Sequence, residues 1–186
     1  MMQLLAQGWG PEKVMDRYLR YARELVDAGV TFRAMKPADK PEAWSLISRH
    51  VTMPSEWKIA KHEGGILAHD PGGKLIGALL MNGMSFDGPQ GPQLMASIRS
   101  VVVDPGWRGR GVGVVTLGMA DRPFHPQRPS FYLGNCAEAD ARFYQRLGYT
   151  VLQPGAEFPL PLGAETIKVN ITNPDYPCFF FQEQDH

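Results

Sequence analysis

The sequence has little cysteine, no net charge and no long hydrophobic run. Cys136 and Cys178 are the only cysteines among 186 residues, so one disulfide could form in principle, but there is no disulfide framework and no CxxC pair. The 19 Lys and Arg balance the 19 Asp and Glu, which leaves no global field to attract nucleic acid or an anionic membrane. Residues 1–10 lack a basic, apolar leader, and no run of about 18 apolar residues occurs. We therefore expect a cytoplasmic protein without a membrane partner, and nucleic acid is disfavoured as a partner.

Histidine is also sparse, and its spacing does not suggest a metal site. The five histidines stand at positions 50, 62, 69, 125 and 186. No two are four residues apart, as two ligands on one helical face would be. The sequence therefore predicts no bound metal.

Glycine and proline are the residues present in excess. Glycine (20) and proline (16) make about 19% of the chain, against about 12% in an average protein. They show no Gly-X-Y period, and 44% of the residues are hydrophobic, so a collagen or a flexible linker is excluded. One globular domain with glycines at particular backbone positions is expected.

The apolar spacing predicts alternating helices and strands without an internal repeat. A hairpin is expected at Asp70-Pro-Gly-Gly73, and Asp39, with Glu42 three residues later, is the expected N-cap of the second helix. The predicted elements are helices at 11–28, 39–51, 114–120 and 139–147, strands at 30–35, 65–69, 74–81, 95–103, 130–133, 149–152 and 166–172, a loop at 86–92, and prolines 123, 126 and 129 ending the third helix.

The most informative segment is the glycine-rich turn that follows the strand at 95–103. It reads Val103-Asp-Pro105, then Arg108-Gly-Arg-Gly-Val-Gly113. Three glycines allow a ligand to approach the main chain, several N–H groups face the turn, and two arginines add charge. Phosphate is the expected ligand. The spacing fits neither the P-loop nor the dinucleotide fingerprint, so ATP and NAD are disfavoured.

This segment resembles the signature of the GNAT acetyltransferase superfamily, in which V-x-P precedes R/Q-x-x-G-x-G/A. A second likeness follows downstream, where Phe143-Tyr144 on a helix precedes Gly148-Tyr149. The resemblance spans about residues 31–172. It implies an α+β fold with a mixed, mostly antiparallel central sheet flanked by helices, and an extra N-terminal helix. It also implies two parts, a helical extension at 1–30 packed on an acetyltransferase domain at 31–186.

The resemblance further implies acetyl-CoA as cosubstrate. The main chain of Val101 and Val103 would pair with the pantetheine amides, the turn would hold the pyrophosphate, and Asn135 would bond to pantetheine or to the acetyl carbonyl. The implied cofactor-binding residues are Val101, Val103, Arg108, Gly109, Arg110, Gly111, Val112, Gly113 and Asn135.

Of the family's two catalytic groups, the general acid has a counterpart in this sequence, whereas the base on the fourth strand does not. Tyr144 stands where the family has a general acid, although a core aromatic beside Phe143 is the alternative. Many members carry a glutamate as base on the fourth strand, where this chain has Arg99. The alternatives for the base are Glu63, which we take as the first candidate, and His62, Asp87 and Glu138.

We expect an enzyme, an acetyl-CoA-dependent N-acetyltransferase in which a primary amine attacks the thioester directly. A small-molecule amine is favoured over a protein or peptide amine. The rivals are a non-catalytic acyl-CoA-binding or regulatory domain, and a structural protein with a chance glycine turn. The sequence leaves open whether the protein forms a homodimer. The apolar tail at 178–181 could cover the cleft, contact a second subunit or complete the core.

Overall fold

The computed structural model describes residues 11–51, 58–88, 91–120, 128–162, 165–170 and 173–183. Its helices are α1 (Pro11–Asp27), α2 (Lys40–Ser48), α3 (Val112–Gly118) and α4 (Ala141–Gln145). Its strands are β1 (Thr31–Ala34), β2 (Gly64–His69), β3 (Leu75–Gly88), β4 (Gly91–Val103), β5 (Phe131–Cys136), β6 (Thr150–Leu152), β7 (Glu157–Leu162), β8 (Glu165–Asn170) and β9 (Cys178–Glu183).

Seven strands form one sheet in the order β1-β2-β3-β4-β5-β9-β6, and β7 and β8 form a separate ribbon. The strand pairs whose register is resolved are all antiparallel. The mixed, mostly antiparallel sheet with flanking helices and an extra N-terminal helix is therefore confirmed. Within the described ranges no helix is long and apolar enough to cross a bilayer.

The chain divides into two compact units, one made of Met15–Asn82 and Ile98–Pro126, the other of Met1–Val14, Gly83–Ser97 and Gln127–His186. Each unit combines segments that are distant in sequence. The predicted division into an extension at 1–30 and a domain at 31–186 stays a prediction.

The unit around Met15–Asn82 is built on the predicted hairpin. The N–H of Gly73 donates to the carbonyl of Asp70 at 2.9 Å and closes the turn between β2 and β3, while β1 pairs with the other edge of β2. Helix α2 buries one apolar face against the sheet, because its apolar residues recur at helical spacing. The buried core consists of Ala43, Leu46, Ile47, Leu67, Leu75, Ala78, Leu80 and Val102.

In the other unit the C-terminal strand β9 lies between β5 and β6 and pairs with both. Phe181 is the register partner of Leu133 on β5, and Phe180 that of Val151 on β6. Phe180 is fully buried. Of the three alternatives for the apolar tail, the structure selects the core.

Two expectations were wrong. The loop at 86–92 is largely strand, because β3 continues to Gly88 and β4 begins at Gly91. The strand β7 contains Pro159 and Pro161, and it tolerates them in a two-stranded ribbon, where each strand has an unpaired edge. The strand predicted at 166–172 is not the last one, because β9 follows at Cys178–Glu183.

Asp39 stands at the N-cap position of α2, as predicted, but its side chain accepts no N–H of that helix, because its carboxylate is used elsewhere. It accepts a hydrogen bond from Nη2 of Arg33 at 2.9 Å and another from the N–H of Lys36 at 2.7 Å. The bond from Arg33 is the main cause that lowers the pKa of Asp39 to about 2. Two of the helix-ending prolines, at 123 and 126, lie outside the described residues.

Candidate functional site

Between β4 and the glycine-rich turn, the carboxylate of Asp104 accepts two hydrogen bonds. Its Oδ1 accepts the N–H of Gly106 at 3.0 Å, and its Oδ2 accepts Nζ of Lys74 at 3.0 Å. The bond from Lys74 is the main cause that lowers the pKa of Asp104. The carboxylate therefore ties the start of the turn to the end of the neighbouring hairpin and holds the strand exit in place.

Two glycines give the turn its shape. Gly109 has φ +76° and Gly111, the N-cap of α3, has φ +88°. These left-handed conformations are costly for residues with a side chain, which explains why glycine stands at both positions. Val112 then packs over Gly77 of β3, where a Cβ would lie 2.8 Å from the valine methyl, and this contact seats α3 on the sheet.

The main-chain N–H groups of residues 109–113 have no hydrogen-bond partner of good geometry among the described residues, whereas the N–H of Arg108 reaches the carbonyl of Pro105 at 3.4 Å. Five consecutive donors need an acceptor from outside the fold. The guanidinium of Arg110 lies 5.0 Å from the Trp107 ring.

Strand β4 presents two different faces ahead of the turn. Ile98, Ser100 and Val102 are buried, whereas Val101 and Val103 on the alternate face are half-buried. The carbonyl of Val103 accepts Nε of Arg108 at 3.1 Å. The carbonyl of Val103 therefore already has one donor within the fold.

Glu63 and Arg99, which the sequence left unrelated, form an ion pair in the same unit. Oε1 of Glu63 lies 3.8 Å from Nε of Arg99, and the glutamate side chain is 4% exposed against 41% for the arginine. Oε2 of Glu63 accepts the N–H of Ala60 at 2.6 Å. The candidate base is therefore a buried carboxylate that closes a local turn and lies next to the arginine of the fourth strand.

In the other unit Tyr144 lies inside an aromatic cluster. Its ring stacks on Phe180, with centroids 3.7 Å apart, and meets Phe143 and Tyr149 edge to face. Burial, followed by the proximity of Cys136, raises the pKa of Tyr144 well above the usual value. The phenol therefore keeps its proton over the whole physiological range. This packing agrees with the core-aromatic alternative, and the acid role of Tyr144 stays a prediction.

Asn135 on β5 carries an unsatisfied buried donor. Its Nδ2 is buried and has no hydrogen-bond partner among the described residues. A buried amide donor without a partner costs free energy, so such a group is typical of a site that a ligand completes.

The remaining candidates receive little support from their surroundings. His62, Asp87 and Glu138 are exposed. Cys136 is buried and faces Cys178 across β5 and β9, and burial raises its pKa to about 12. It is therefore a poor nucleophile at neutral pH.

Sequence reasoning missed Phe180 as the residue that stacks on the candidate acid. The run of Phe179 to Phe181 was a usable signal, because consecutive large apolar residues are typical of a buried segment. It also missed the pairing of Glu63 with Arg99, for which the sequence holds no local signal.

Comparison with known proteins agrees with this architecture. The model of the acetyltransferase (GNAT) family matches residues 29–149. No curated protein matches the sequence. The comparison with solved structures found an acetyltransferase of the GNAT family from Staphylococcus aureus MU50, with 13% identity and a TM-score of 0.58 over 83% of this chain and 98% of that one.

Two further structures are similar at the level of the fold. An Arabidopsis thaliana protein in complex with the bisubstrate analogue CoA-Ac-MVNAL has a TM-score of 0.56 and 13% identity, over 83% of this chain and 99% of that one. Glucosamine-6-phosphate N-acetyltransferase from Arabidopsis thaliana has a TM-score of 0.52 and 15% identity, over 64% of this chain and 90% of that one. The family model spans more than half of the chain and includes the strand, the glycine turn and the Tyr144 helix. The chain belongs to the acetyltransferase (GNAT) family.

Proposed function

We propose that the protein is an acetyl-CoA-dependent N-acetyltransferase that acts on a primary amine. Membership of the family implies acetyl transfer from acetyl-CoA. The observation that carries the proposal is the turn at 109–113, where five consecutive N–H groups have no acceptor among the described residues.

The residues present fit such a ligand. Phosphate oxygens are strong acceptors for main-chain N–H groups, and Arg110 adds a cation beside the turn. In this proposal the residues that hold the phosphates are Arg108, Gly109, Arg110, Gly111, Val112 and Gly113. Val101 and Val103 offer main-chain groups to the pantetheine, and the orphan Nδ2 of Asn135 donates to a carbonyl of the ligand.

Acetyl-CoA supplies an activated acyl group as a thioester. The protein then has two proton tasks, since the attacking amine must be neutral and the sulfur must leave as a thiol. Tyr144 donates its Oη proton to the sulfur. Burial raises the pKa of Tyr144, which keeps the phenol protonated but also makes it a weaker acid, so the support for this role is the position of Tyr144 in the motif.

Glu63 is the proposed base, acting directly or through a water molecule that it orients. Its carboxylate is the buried acidic group next to Arg99 on β4, the strand on which many family members carry their glutamate. Oε2 is held by the N–H of Ala60, so the group has a defined orientation. An amine that is already neutral would not need it.

A small-molecule amine is the favoured acceptor, with a peptide amine second. The chain has no net charge, so it lacks the field that would attract a strongly charged polymer. A cytoplasmic location and a homodimer are parts of the proposal that rest on sequence alone.

The alternative is a non-catalytic acyl-CoA-binding domain, which the arginine at position 99 favours, because it stands where many members carry the base. Titration calorimetry with acetyl-CoA tests binding, and release of free thiol in the presence of amines tests transfer. Binding without transfer on any amine would select the alternative.

A further inference from the structure

Helix α1 lies outside the segment that the family model matches, yet it contacts the glycine turn. Cγ and Cδ1 of Tyr21 fill the space that a Cβ on Gly111 would occupy, and Cβ of Tyr21 lies 2.6 Å from that position. The tyrosine is therefore in van der Waals contact with the main chain of Gly111. Gly111 is constrained twice, by its positive φ and by this ring.

A second, similar contact joins the same two helices farther along. The ring of Tyr18 fills the Cβ position of Gly118, with Cε2 at 2.5 Å. Tyr18 and Tyr21 are neighbours on one face of α1, since they are three residues apart. Gly111 and Gly118 lie at the two ends of α3, so one tyrosine contacts the turn and the other contacts the far end of the helix.

The Tyr21 ring is itself held in place. The guanidinium carbon of Arg20 lies 4.9 Å from the ring centroid and that of Arg17 lies 5.7 Å away. Both are cation–π contacts, which orient the ring. Leu25 is the buried residue of α1, and the two tyrosines are half-buried, so both rings contribute to the packing of α1 against α3.

The turn needs such contacts, because glycine by itself does not hold the backbone in one conformation. Gly109 and Gly111 both adopt positive φ, and in an isolated chain glycine samples many other conformations. In the proposed function the N–H groups of residues 109–113 hold the phosphates together, which requires this one conformation of the turn. Ordering a backbone at the moment of binding weakens affinity, whereas a turn that is already ordered avoids that cost.

We infer that Tyr21 is a positioning residue for the cofactor turn, and that α1 is therefore a working part of the acetyl-CoA site rather than a dispensable extension. This inference rests on the proposed function of the turn as the phosphate site. The phenol hydroxyl is not involved, because the contact uses the ring and Cβ.

The test compares Tyr21→Ala with Tyr18→Ala, a matched substitution on the same helix. The dissociation constant for coenzyme A is measured by titration calorimetry, and the melting temperature is measured without ligand. If losing the ring frees one turn residue, the dissociation constant should rise about tenfold in Tyr21→Ala. In Tyr18→Ala it should stay within about twofold, although both variants lose one helix contact and should melt at similarly lowered temperatures.

Tyr21→Phe should bind coenzyme A like the wild type, since it keeps the ring. If Tyr21→Ala does not fold, Tyr21→Leu keeps apolar bulk and serves in its place. An unchanged or tighter dissociation constant in Tyr21→Ala would overturn the inference, and so would an equal loss in Tyr18→Ala. If wild type itself does not bind coenzyme A, the proposed function fails first, which separates the two outcomes.

Discussion

The ring of Tyr144 lies almost flat on the ring of Phe180, with centroids 3.7 Å apart and planes inclined by 15°. Phe180 is fully buried on the C-terminal strand β9, and Tyr149 meets both rings edge to face. Stacking of this kind restricts the orientation of both side chains. The C-terminal strand therefore orients the side chain that we propose as the general acid.

Replacing Phe180 should be severely destabilising. Phe180→Ala should lower the free energy of unfolding by about 3–5 kcal/mol, because it leaves a cavity beside Tyr144. Urea denaturation measures the loss. Phe181→Ala is the control, since Phe181 is half-buried on the opposite face of the strand and should cost less. Equal losses in the two variants would contradict the packing described for Phe180.

Removing the proposed acid should affect turnover and leave the fold intact. Tyr144→Phe keeps the stacked ring and should lower kcat by about 10²–10⁴-fold, the usual contribution of a positioned acid. The melting temperature should change little. A variant with wild-type kcat would show that Tyr144 is only a core aromatic.

The pH dependence of kcat gives a second test of Tyr144. Burial raises the pKa of Tyr144, so the phenol loses its proton at higher pH than an exposed tyrosine does. The wild-type kcat should therefore show no fall from tyrosine ionisation up to about pH 10. A fall with a midpoint below this value that is absent from the residual activity of Tyr144→Phe would contradict the assignment.

Three glycine substitutions separate backbone strain from steric contact. Gly109→Ala meets open space but keeps a positive φ, so it should cost about 1–2 kcal/mol of stability. Gly118→Ala meets the Tyr18 ring. Gly111→Ala combines a positive φ with the Tyr21 ring, so it should be the most destabilising of the three and the weakest binder of coenzyme A. Thermal melts and calorimetry rank the variants, and a Gly111→Ala protein as stable as Gly109→Ala would show that Tyr21 does not contact the turn.

The proposed base can be tested with a variant that preserves its structural bond. Glu63→Gln keeps an oxygen for the N–H of Ala60 but removes the charge beside Arg99. With an amine that is protonated at neutral pH, kcat/KM should fall about 10²-fold. With an amine of low pKa the loss should shrink, because that substrate is already neutral. Equal kcat/KM values for wild type and Glu63→Gln on both amines would remove Glu63 from the mechanism.

The parts of the fold that were predictable from the sequence are those with local signals. The hairpin at Asp70 and the turn at 108–113 depend on residues that are adjacent in the chain, and both were predicted correctly. The stacking of Phe180 on Tyr144 and the contact of Tyr21 with Gly111 join distant segments. No spacing rule connects them, so they required the tertiary structure.

In two places interactions with other segments override the local preference of the sequence. The segment at 86–92 contains glycine and proline, which normally end strands, yet β3 extends to Gly88 and β4 starts at Gly91. Pairing between neighbouring strands outweighed the local preferences of these residues. Asp39 does stand at the predicted N-cap position of α2, but a nearby guanidinium, that of Arg33, is the stronger partner for its carboxylate.

The central claim is that this chain transfers acetyl groups to amines. Purified protein is first melted with and without acetyl-CoA, since a ligand that binds only the native state must raise the melting temperature. It is then incubated with acetyl-CoA and a panel of small primary amines and short peptides, and free thiol is followed with time. We predict stabilisation by acetyl-CoA and thiol release that depends on a small amine and is strongly reduced in Tyr144→Phe. Binding without thiol release on any amine, with wild type and Tyr144→Phe indistinguishable, would contradict the account.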